Sequence, residues 1–282
     1  MVFLHIILFL LTICSTVFVG SQLFGLDGGF LYSLAIMTIL LAHEMGHYLM
    51  TRKYGIPSTL PFFIPFPMEP FGTFGAIIRM KGIIINKRAL FDIGVAGPLC
   101  GFITALPFII AGILLSKVQV VIGGEHYQRL GDPLLFTILQ NIFIGEIPKG
   151  LDLVLHPFAY AGWVGLFVTA LNLLPVGQLD GGHVVYAVFG NKSKLVSQVS
   201  IALLAALAIF HNPGWLTLVI LLLIFGRRHP HPYDTETPLD NKRKFIACIV
   251  LVIFILSFIP SPFPEMNTAN IIDMIRKGGI FK

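Results

Sequence analysis

The residues best suited to chemistry are His43-Glu44-Met45-Gly46-His47. Side chains four residues apart lie on one face of a helix, with Cβ atoms about 5–6 Å apart, so both imidazoles can reach one metal ion. Glu44 lies beside the first imidazole, where it can accept a proton from water that the metal activates. The spacing therefore predicts a divalent-metal site with hydrolytic chemistry. The alternative is a polar cluster that hydrogen-bonds to neighbouring helices.

A catalytic zinc site needs a further protein ligand, because zinc holds three side chains and leaves its fourth position open. Asp180 is the other acid embedded in strongly apolar sequence, and it lies in the proline- and glycine-rich stretch 172–183. Unwound backbone at membrane depth occurs where it lines a cavity or is buried in protein, which is the setting a metal ligand needs. We therefore expect Asp180 to be the third ligand. His183 stays open as a fourth or outer group, and Asp92 is interpreted as a helix-end charge.

The elements that must position these residues are membrane helices. The chain has 282 residues, of which 56% are hydrophobic and 12% are charged, and its mean hydropathy is +0.86. A soluble domain of this size could not bury so much apolar surface. The composition therefore excludes an ordinary cytosolic enzyme, a disordered chain and a nucleic-acid module. It predicts an all-α polytopic membrane protein.

The apolar stretches give about six to seven predicted spans, since a bilayer core takes about 20 helical residues. The first stretch lacks the basic region of a signal peptide, so we expect it to be retained. Lys and Arg concentrate in segments 51–88, 183–195 and 227–244, and the positive-inside rule places those segments and the active site on the cytoplasmic side. The stretches are residues 2–19, 30–50, 89–115, 158–180, 196–210, 213–226 and 245–259.

We expect a single integral membrane domain over residues 1–282, with the C-terminal helices at 196–260. Segment 57–82, after the second span, is apolar but too rich in proline for a helix. Its residues 73–80 have β-branched and aromatic character. This pattern predicts a re-entrant, β-hairpin-like segment packed against protein, and an interfacial loop is the alternative.

The sequence resembles the site-2 protease family of intramembrane zinc metalloproteases. The resemblance covers residues 30–190, the expected catalytic core, and rests on His43-Glu44-Met45-Gly46-His47, on Leu179-Asp180-Gly181 and on Asn172 eight positions before the aspartate. It implies one zinc ion per chain, bound by His43, His47 and Asp180. It also implies Glu44 as general base and acid, and Asn172 as an active-site amide. Many members carry a PDZ insertion or a cystathionine-synthase-like (CBS) domain, for which this chain has no room.

The resemblance also implies that residues 72–80 match the family's re-entrant β segment, and that the third span begins with a tightly packed turn. The small residues at Gly94, Gly97 and Gly101 independently predict close helix contact there. An exposed strand edge in the re-entrant segment would bind an unwound substrate as an added strand. The expected substrate-binding residues are Gly72, Thr73, Phe74, Gly75, Ala76 and Ile77.

The expected function is hydrolysis of a peptide bond within or near a transmembrane segment of a membrane-protein substrate, as in regulated intramembrane proteolysis. The expected surroundings are the lipid bilayer of a bacterial or archaeal plasma membrane, with an organellar membrane left open as the alternative and no nucleic-acid partner. Substrate, trigger and oligomeric state stay open. The alternatives are a non-proteolytic membrane zinc carrier or sensor, which gives Glu44 no special task, and an inactive scaffold that binds membrane helices.

Overall fold

The structure is a computed structural model that describes residues 2–120, 129–148, 150–225 and 232–264. The described chain is mostly helical, with two small antiparallel sheets of two strands each. A short 3-10 turn, Gly190–Lys192, separates α5 from α6. The elements are α1 (Val2–Lys53), β1 (Phe62–Pro65), β2 (Thr73–Ile77), α2 (Lys87–Leu115), β3 (Lys117–Gln119), α3 (Leu134–Phe143), β4 (Asp152–Val154), α4 (Pro157–Asn172), α5 (Asp180–Phe189), α6 (Ser193–Phe210), α7 (Trp215–Phe225) and α8 (Asn241–Ser257).

Helix α1 is a helical hairpin whose two arms meet at Gly25. The backbone there has φ 74° and ψ 171°, a conformation that glycine adopts without the steric cost of a Cβ atom. Thr16 Oγ1 and Ser33 Oγ lie 2.7 Å apart across the two arms. The first arm is residues 2–24 and the second is residues 26–53. At 1.5 Å of rise per residue, each arm is long enough to cross the roughly 30 Å core of a bilayer.

Within the described residues, three helical segments are long and apolar enough to cross a membrane, namely Val2–Lys53, Lys87–Leu115 and Asp180–Phe210. The predicted count of six to seven spans is not confirmed, because α4, α7 and α8 have only 16, 11 and 17 residues. The helices nevertheless coincide in position with the predicted apolar stretches, and α1 accounts for two of them. Residue 226, the end of one predicted span, lies outside the described residues.

Helices α1, α2 and α4 form the centre of the bundle. Tyr32, Phe91 and Trp163, one from each helix, have no exposed surface. Glycine allows the backbones to approach closely, since a Cβ atom at Gly112 of α2 would overlap the backbone of Ala159 in α4. The bundle therefore offers a rigid frame for side chains that project between these helices.

Strands β1 and β2 form a hairpin in the predicted re-entrant segment. Phe62 pairs with Ile77 and Phe63 with Ala76, and the register then shifts, as in a β-bulge, before the last pair. Four helix side chains fasten the hairpin through its carbonyl oxygens. The contacts are His5 Nδ1 with Pro61 O at 3.1 Å, Ser15 Oγ donating to Gly72 O at 2.7 Å, Tyr32 OH to Phe71 O at 2.7 Å and Tyr160 OH to Pro70 O at 2.8 Å.

Candidate metal centre

The second arm of α1 places His43 and His47 on one buried face, as their spacing predicts. Their Nε2 atoms lie 3.2 Å apart, and the two residues are only 4% and 7% exposed. Glu44 is also buried. Burial of three polar side chains in an apolar helix is costly unless partners satisfy them. The partners come from α2, α4, α5 and the chain after β2.

Asp180 completes the group from a position 133 residues away from His47. Helix α4 ends at Asn172, a turn follows, and α5 begins at Asp180, so the predicted break in the helix is present. The Asp180 Oδ2 atom lies 3.2 Å from His47 Nε2 and 3.4 Å from His43 Nε2. The turn that separates α4 from α5 thus brings the expected third ligand to the two histidines.

The spacing of these three atoms suits zinc. With bonds of about 2.0–2.1 Å, ligand atoms in a tetrahedral zinc site lie about 3.3 Å from one another. The three separations here are 3.2, 3.2 and 3.4 Å. The His47 Nδ1 atom lies 2.8 Å from Ile93 O, so it donates there and Nε2 presents a lone pair to the carboxylate oxygen. A divalent cation at the centre of these three atoms would satisfy all of them.

Glu44 and Asn172, the two expected catalytic residues, both lie at this group. The Nδ2 atom of Asn172 is 3.3 Å from His43 Nε2. The backbone N–H of Ile78, the residue that follows β2, lies near the Glu44 carboxylate. The β1–β2 hairpin therefore reaches the site through its own backbone.

The glycines of α2 form a smooth face against which the ligands lie. A Cβ atom at Gly97 would overlap the His47 imidazole, and one at Gly101 would lie 3.1 Å from His43 Nδ1. At Gly94 the same atom would lie 3.2 Å from the backbone oxygen of Asp180. The predicted close helix contact is confirmed, and its purpose is local: these positions leave room for the ligand side chains.

The six expected substrate-binding residues divide into two groups. Thr73 is buried, and Gly72, with φ 76°, packs against the backbone of α1. Phe74 and Ile77 are 68% and 58% exposed. In the described residues no other strand pairs with β2 on the edge opposite β1. Gly72 and Thr73 thus anchor the hairpin, while residues 74–77 present its open part.

The sequence did not indicate two features around this site. The Ile93 carbonyl that orients His47 carries no sequence signal, because any residue type supplies it. Asp92, interpreted as a helix-end charge near the start of α2, is bound by Arg243 of α8, a partner that its position in the sequence does not indicate. His183 is buried with its Cβ near Gly94, and it is not a member of the group His43, His47 and Asp180, whose ligand atoms lie within 4.8 Å of one another.

Comparison with known proteins places this arrangement in context. The model of the family described as Peptidase family M50 matches residues 31–210. The chain is 29% identical over 251 residues to the probable zinc metalloprotease EGY2, chloroplastic, of Arabidopsis thaliana, covering 87% of this chain and 43% of that protein. It is 31% identical over 246 residues to the protein of the same name from Oryza sativa subsp. indica, covering 85% of this chain and 44% of that protein.

A third relative is the probable zinc metalloprotease EGY1, chloroplastic, of Arabidopsis thaliana. It is 30% identical over 233 residues, which cover 80% of this chain and 42% of that protein. The chain thus spans less than half the length of the curated relatives it matches. The family-model match includes His43, His47 and Asp180, and it ends before α8.

Proposed function

The chain belongs to peptidase family M50, and from that premise we propose that it is an intramembrane zinc metalloprotease. It hydrolyses a peptide bond within or near a transmembrane segment of a membrane-protein substrate, in regulated intramembrane proteolysis. The observation that carries the proposal is the convergence of His43, His47 and Asp180, with ligand atoms 3.2–3.4 Å apart. The buried Glu44 beside them supplies a proton acceptor, which hydrolysis needs and metal storage does not.

The chain is a membrane protein, since it combines this family membership with apolar helices of membrane-spanning length. Its proposed surroundings are a lipid bilayer and a transmembrane protein substrate. The curated relatives are named chloroplastic, and they give no support to the expected bacterial or archaeal plasma membrane or to a cytoplasmic-facing site. The proposal therefore assigns neither an organism nor a side of the membrane.

In this proposal His43, His47 and Asp180 hold one zinc ion. A bound zinc ion supplies Lewis acidity toward a carbonyl group and lowers the pKa of water toward about 7. Glu44 accepts the proton of the attacking water and then protonates the leaving amine. The Asn172 amide, which lies beside His43 Nε2, donates a hydrogen bond to the developing oxyanion. The Ile93 carbonyl holds the His47 ring in place.

The open part of the hairpin, residues 74–77, is the proposed docking edge for the substrate. A transmembrane helix conceals its peptide bonds by internal hydrogen bonding, so it must unwind before attack. An added strand beside β2 replaces the lost bonds with bonds to the hairpin backbone. Ile78 follows this edge directly and its backbone lies near Glu44, which supports delivery of the peptide bond to the proton acceptor.

The substitution Glu44→Gln tests the proposed chemistry. It removes the proton acceptor but keeps the size of the side chain and leaves the three ligands intact. We expect a zinc content close to that of the wild type and a loss of cleavage of about 10²–10⁴-fold, the usual contribution of general acid–base catalysis. The measurements are metal analysis of the purified protein and cleavage of a single-span reporter that is reconstituted with it in liposomes.

The matched control is Asp27→Asn, which neutralises an exposed acid on the same helix and should retain full cleavage. A chelator should abolish cleavage by the wild type, and zinc should restore it. A Glu44→Gln protein that cleaves the reporter at the wild-type rate would contradict the proposal. If the wild type cleaved no reporter and the Glu44→Gln protein still carried zinc into liposomes, the zinc carrier would be favoured instead.

A proline in β2 tests the docking edge. Ala76 and Ile77 are neighbours that pair with β1 in consecutive positions, so one of their N–H groups faces the open edge and the other faces β1. Of the two variants Ala76→Pro and Ile77→Pro, one therefore removes an N–H that an added strand would use and the other removes one from the β1–β2 side, while all ligands stay in place. We expect reporter cleavage to fall by about tenfold or more, since each backbone bond to a substrate strand is worth about 0.5–1.5 kcal/mol. Zinc content should not change. Val118→Pro in the exposed strand β3 is the control, and unchanged turnover in the β2 variants would refute docking at this edge.

A further inference from the structure

A second polar cluster lies at the end of the α1–α2 helix pair that carries Arg52 and Lys53. Arg243 Nε and Nη2 donate to the two carboxylate oxygens of Asp92 at 2.8 and 2.7 Å. Tyr54 OH donates to Asp92 Oδ2 at 2.5 Å. The side chains of Arg243 and Asp92 are only 21% and 14% exposed. We call Tyr54, Asp92 and Arg243 the ion cluster.

The geometry of this cluster is that of a strong interaction. A bidentate guanidinium–carboxylate pair is directional, and it is worth more than a single exposed ion pair. Arg243 also donates to Asp240, the residue that caps α8. The arginine is thereby held on its own helix while it binds Asp92. Lysine could not reproduce this contact, because its ammonium group lacks the planar fork.

Arg243 comes from outside the part of the chain that the family model matches, which ends at residue 210. Backbone contacts position the chain that leads into α8 independently of the Arg243 side chain. The N–H groups of Tyr233 and Asp234 donate to Ile84 O and Ile85 O, each at 2.9 Å. Because these contacts do not involve Arg243, its replacement should leave the segment in place.

The ion cluster is connected to His47 by two short paths, one through a hydrogen bond and one along the chain. Asp92 precedes Ile93, whose carbonyl oxygen lies 2.8 Å from His47 Nδ1. Tyr54 follows His47 by seven residues on the same stretch of chain, about 10 Å at helical rise. Asp92 therefore fixes both the start of α2 and the end of α1 within two turns of His47.

A directional contact of this kind is needed because glycine forms the rest of the α1–α2 contact near the ligands. Near the ligands α2 offers Gly97 and Gly101 to α1, and glycine faces permit close approach without fixing the register of two helices. A shift of about 1 Å along the pair would lengthen or bend the His47–Ile93 hydrogen bond past its useful range. Directional polar contacts at the helix ends oppose that shift.

We propose that Arg243 is a positioning residue for the metal centre: by binding Asp92 at both carboxylate oxygens it sets the register of α2 against α1, and so the orientation of His47. The inference rests on the proposed zinc site. It adds a residue of α8 to the support of that site. Loss of the Arg243–Asp92 pair should lower zinc affinity by about tenfold, which is the lower end of the effect of removing a partner that orients a ligand.

The experiment compares Arg243→Gln and Arg243→Lys with Lys242→Gln in full-length protein. Lys242 is an exposed cation one position away on the same helix, so its variant removes the same charge without touching the cluster. Zinc affinity is measured by chelator competition, and the ligand geometry by the visible spectrum of the cobalt-substituted protein. We expect weaker zinc binding and an altered cobalt spectrum for both Arg243 variants, and wild-type behaviour for Lys242→Gln.

A purely structural role predicts a different result. In that case the Arg243 variants melt at lower temperature in the zinc-free and zinc-loaded forms alike, and zinc affinity and the cobalt spectrum match the wild type. That outcome would overturn the inference and leave the proposed function intact. A wild-type protein that binds no zinc would overturn both. If Arg243→Gln fails to fold, Arg243→Lys, which keeps the charge, decides between the two roles.

Discussion

The two ends of the α1–α2 helix pair are held together in opposite ways. At the metal centre α2 contributes glycine, and the rings of His43 and His47 lie directly on its backbone. At the other end the contact consists of charges and hydrogen bonds among Tyr54, Asp92 and Arg243. The first contact depends on how closely the shapes pack, whereas the second depends on directional polar bonds.

The difference shows how a polar site can be built between apolar helices. A glycine face leaves room for ligand side chains, but it tolerates no added atom and fixes no register. Directional polar bonds fix the register, but they tolerate small changes in volume. The two ends should therefore respond to opposite kinds of substitution, and mutations can separate them.

The largest effect is expected for Gly97→Ala. The added methyl group would overlap the His47 imidazole, which can move away only by leaving its position toward Asp180. We expect zinc affinity to fall by at least about 100-fold, the upper end of losses caused by disturbing a ligand's support. Reporter cleavage should be lost with it. Chelator competition measures the first and the liposome assay the second.

Two further glycine variants make this result specific. Gly101→Ala should weaken zinc binding less, because its methyl group would meet His43 Nδ1 at 3.1 Å, a contact that a small shift relieves. Gly112→Ala places the same methyl against Ala159 on the α4 side of α2, away from the ligands. It should lower thermal stability without changing the zinc affinity of the folded protein. Equal zinc affinities for the Gly97 and Gly112 variants would show that the effect of Gly97→Ala is not specific to the face of α2 that meets the ligands.

The smallest effect is expected for Tyr54→Phe at the polar end. Burial raises the pKa of the Tyr54 phenol, and its hydrogen bond to Asp92 raises that pKa further, so the hydroxyl is a donor at neutral pH. Its loss removes one of three bonds to Asp92 and leaves both guanidinium bonds. We expect the free energy of unfolding to fall by about 0.5–1.5 kcal/mol. Zinc affinity should change less than in Arg243→Gln, and a larger change would assign the register to Tyr54 instead.

Much of the site could be predicted from sequence because its chemistry is encoded locally. His43, Glu44 and His47 have their relative positions from one helical turn, whatever surrounds that turn. The break before Asp180 follows from proline and glycine, which cannot continue a helix at low cost. The hairpin of β1 and β2 follows from proline content and β-branched character. The substrate, the membrane and the span count are not fixed by any of these local rules.

Sequence alone thus established the residue types of the metal centre, their helical spacing and the apolar surroundings that make them costly to bury. The folded chain was needed to bring Asp180 to within 3.2 Å of His47, to select the Ile93 carbonyl as the partner of His47 and to pair Asp92 with Arg243. The physical reason is range. Backbone geometry fixes the separation of residues a few positions apart, whereas residues 133 or 151 positions apart meet only through the packing of whole helices.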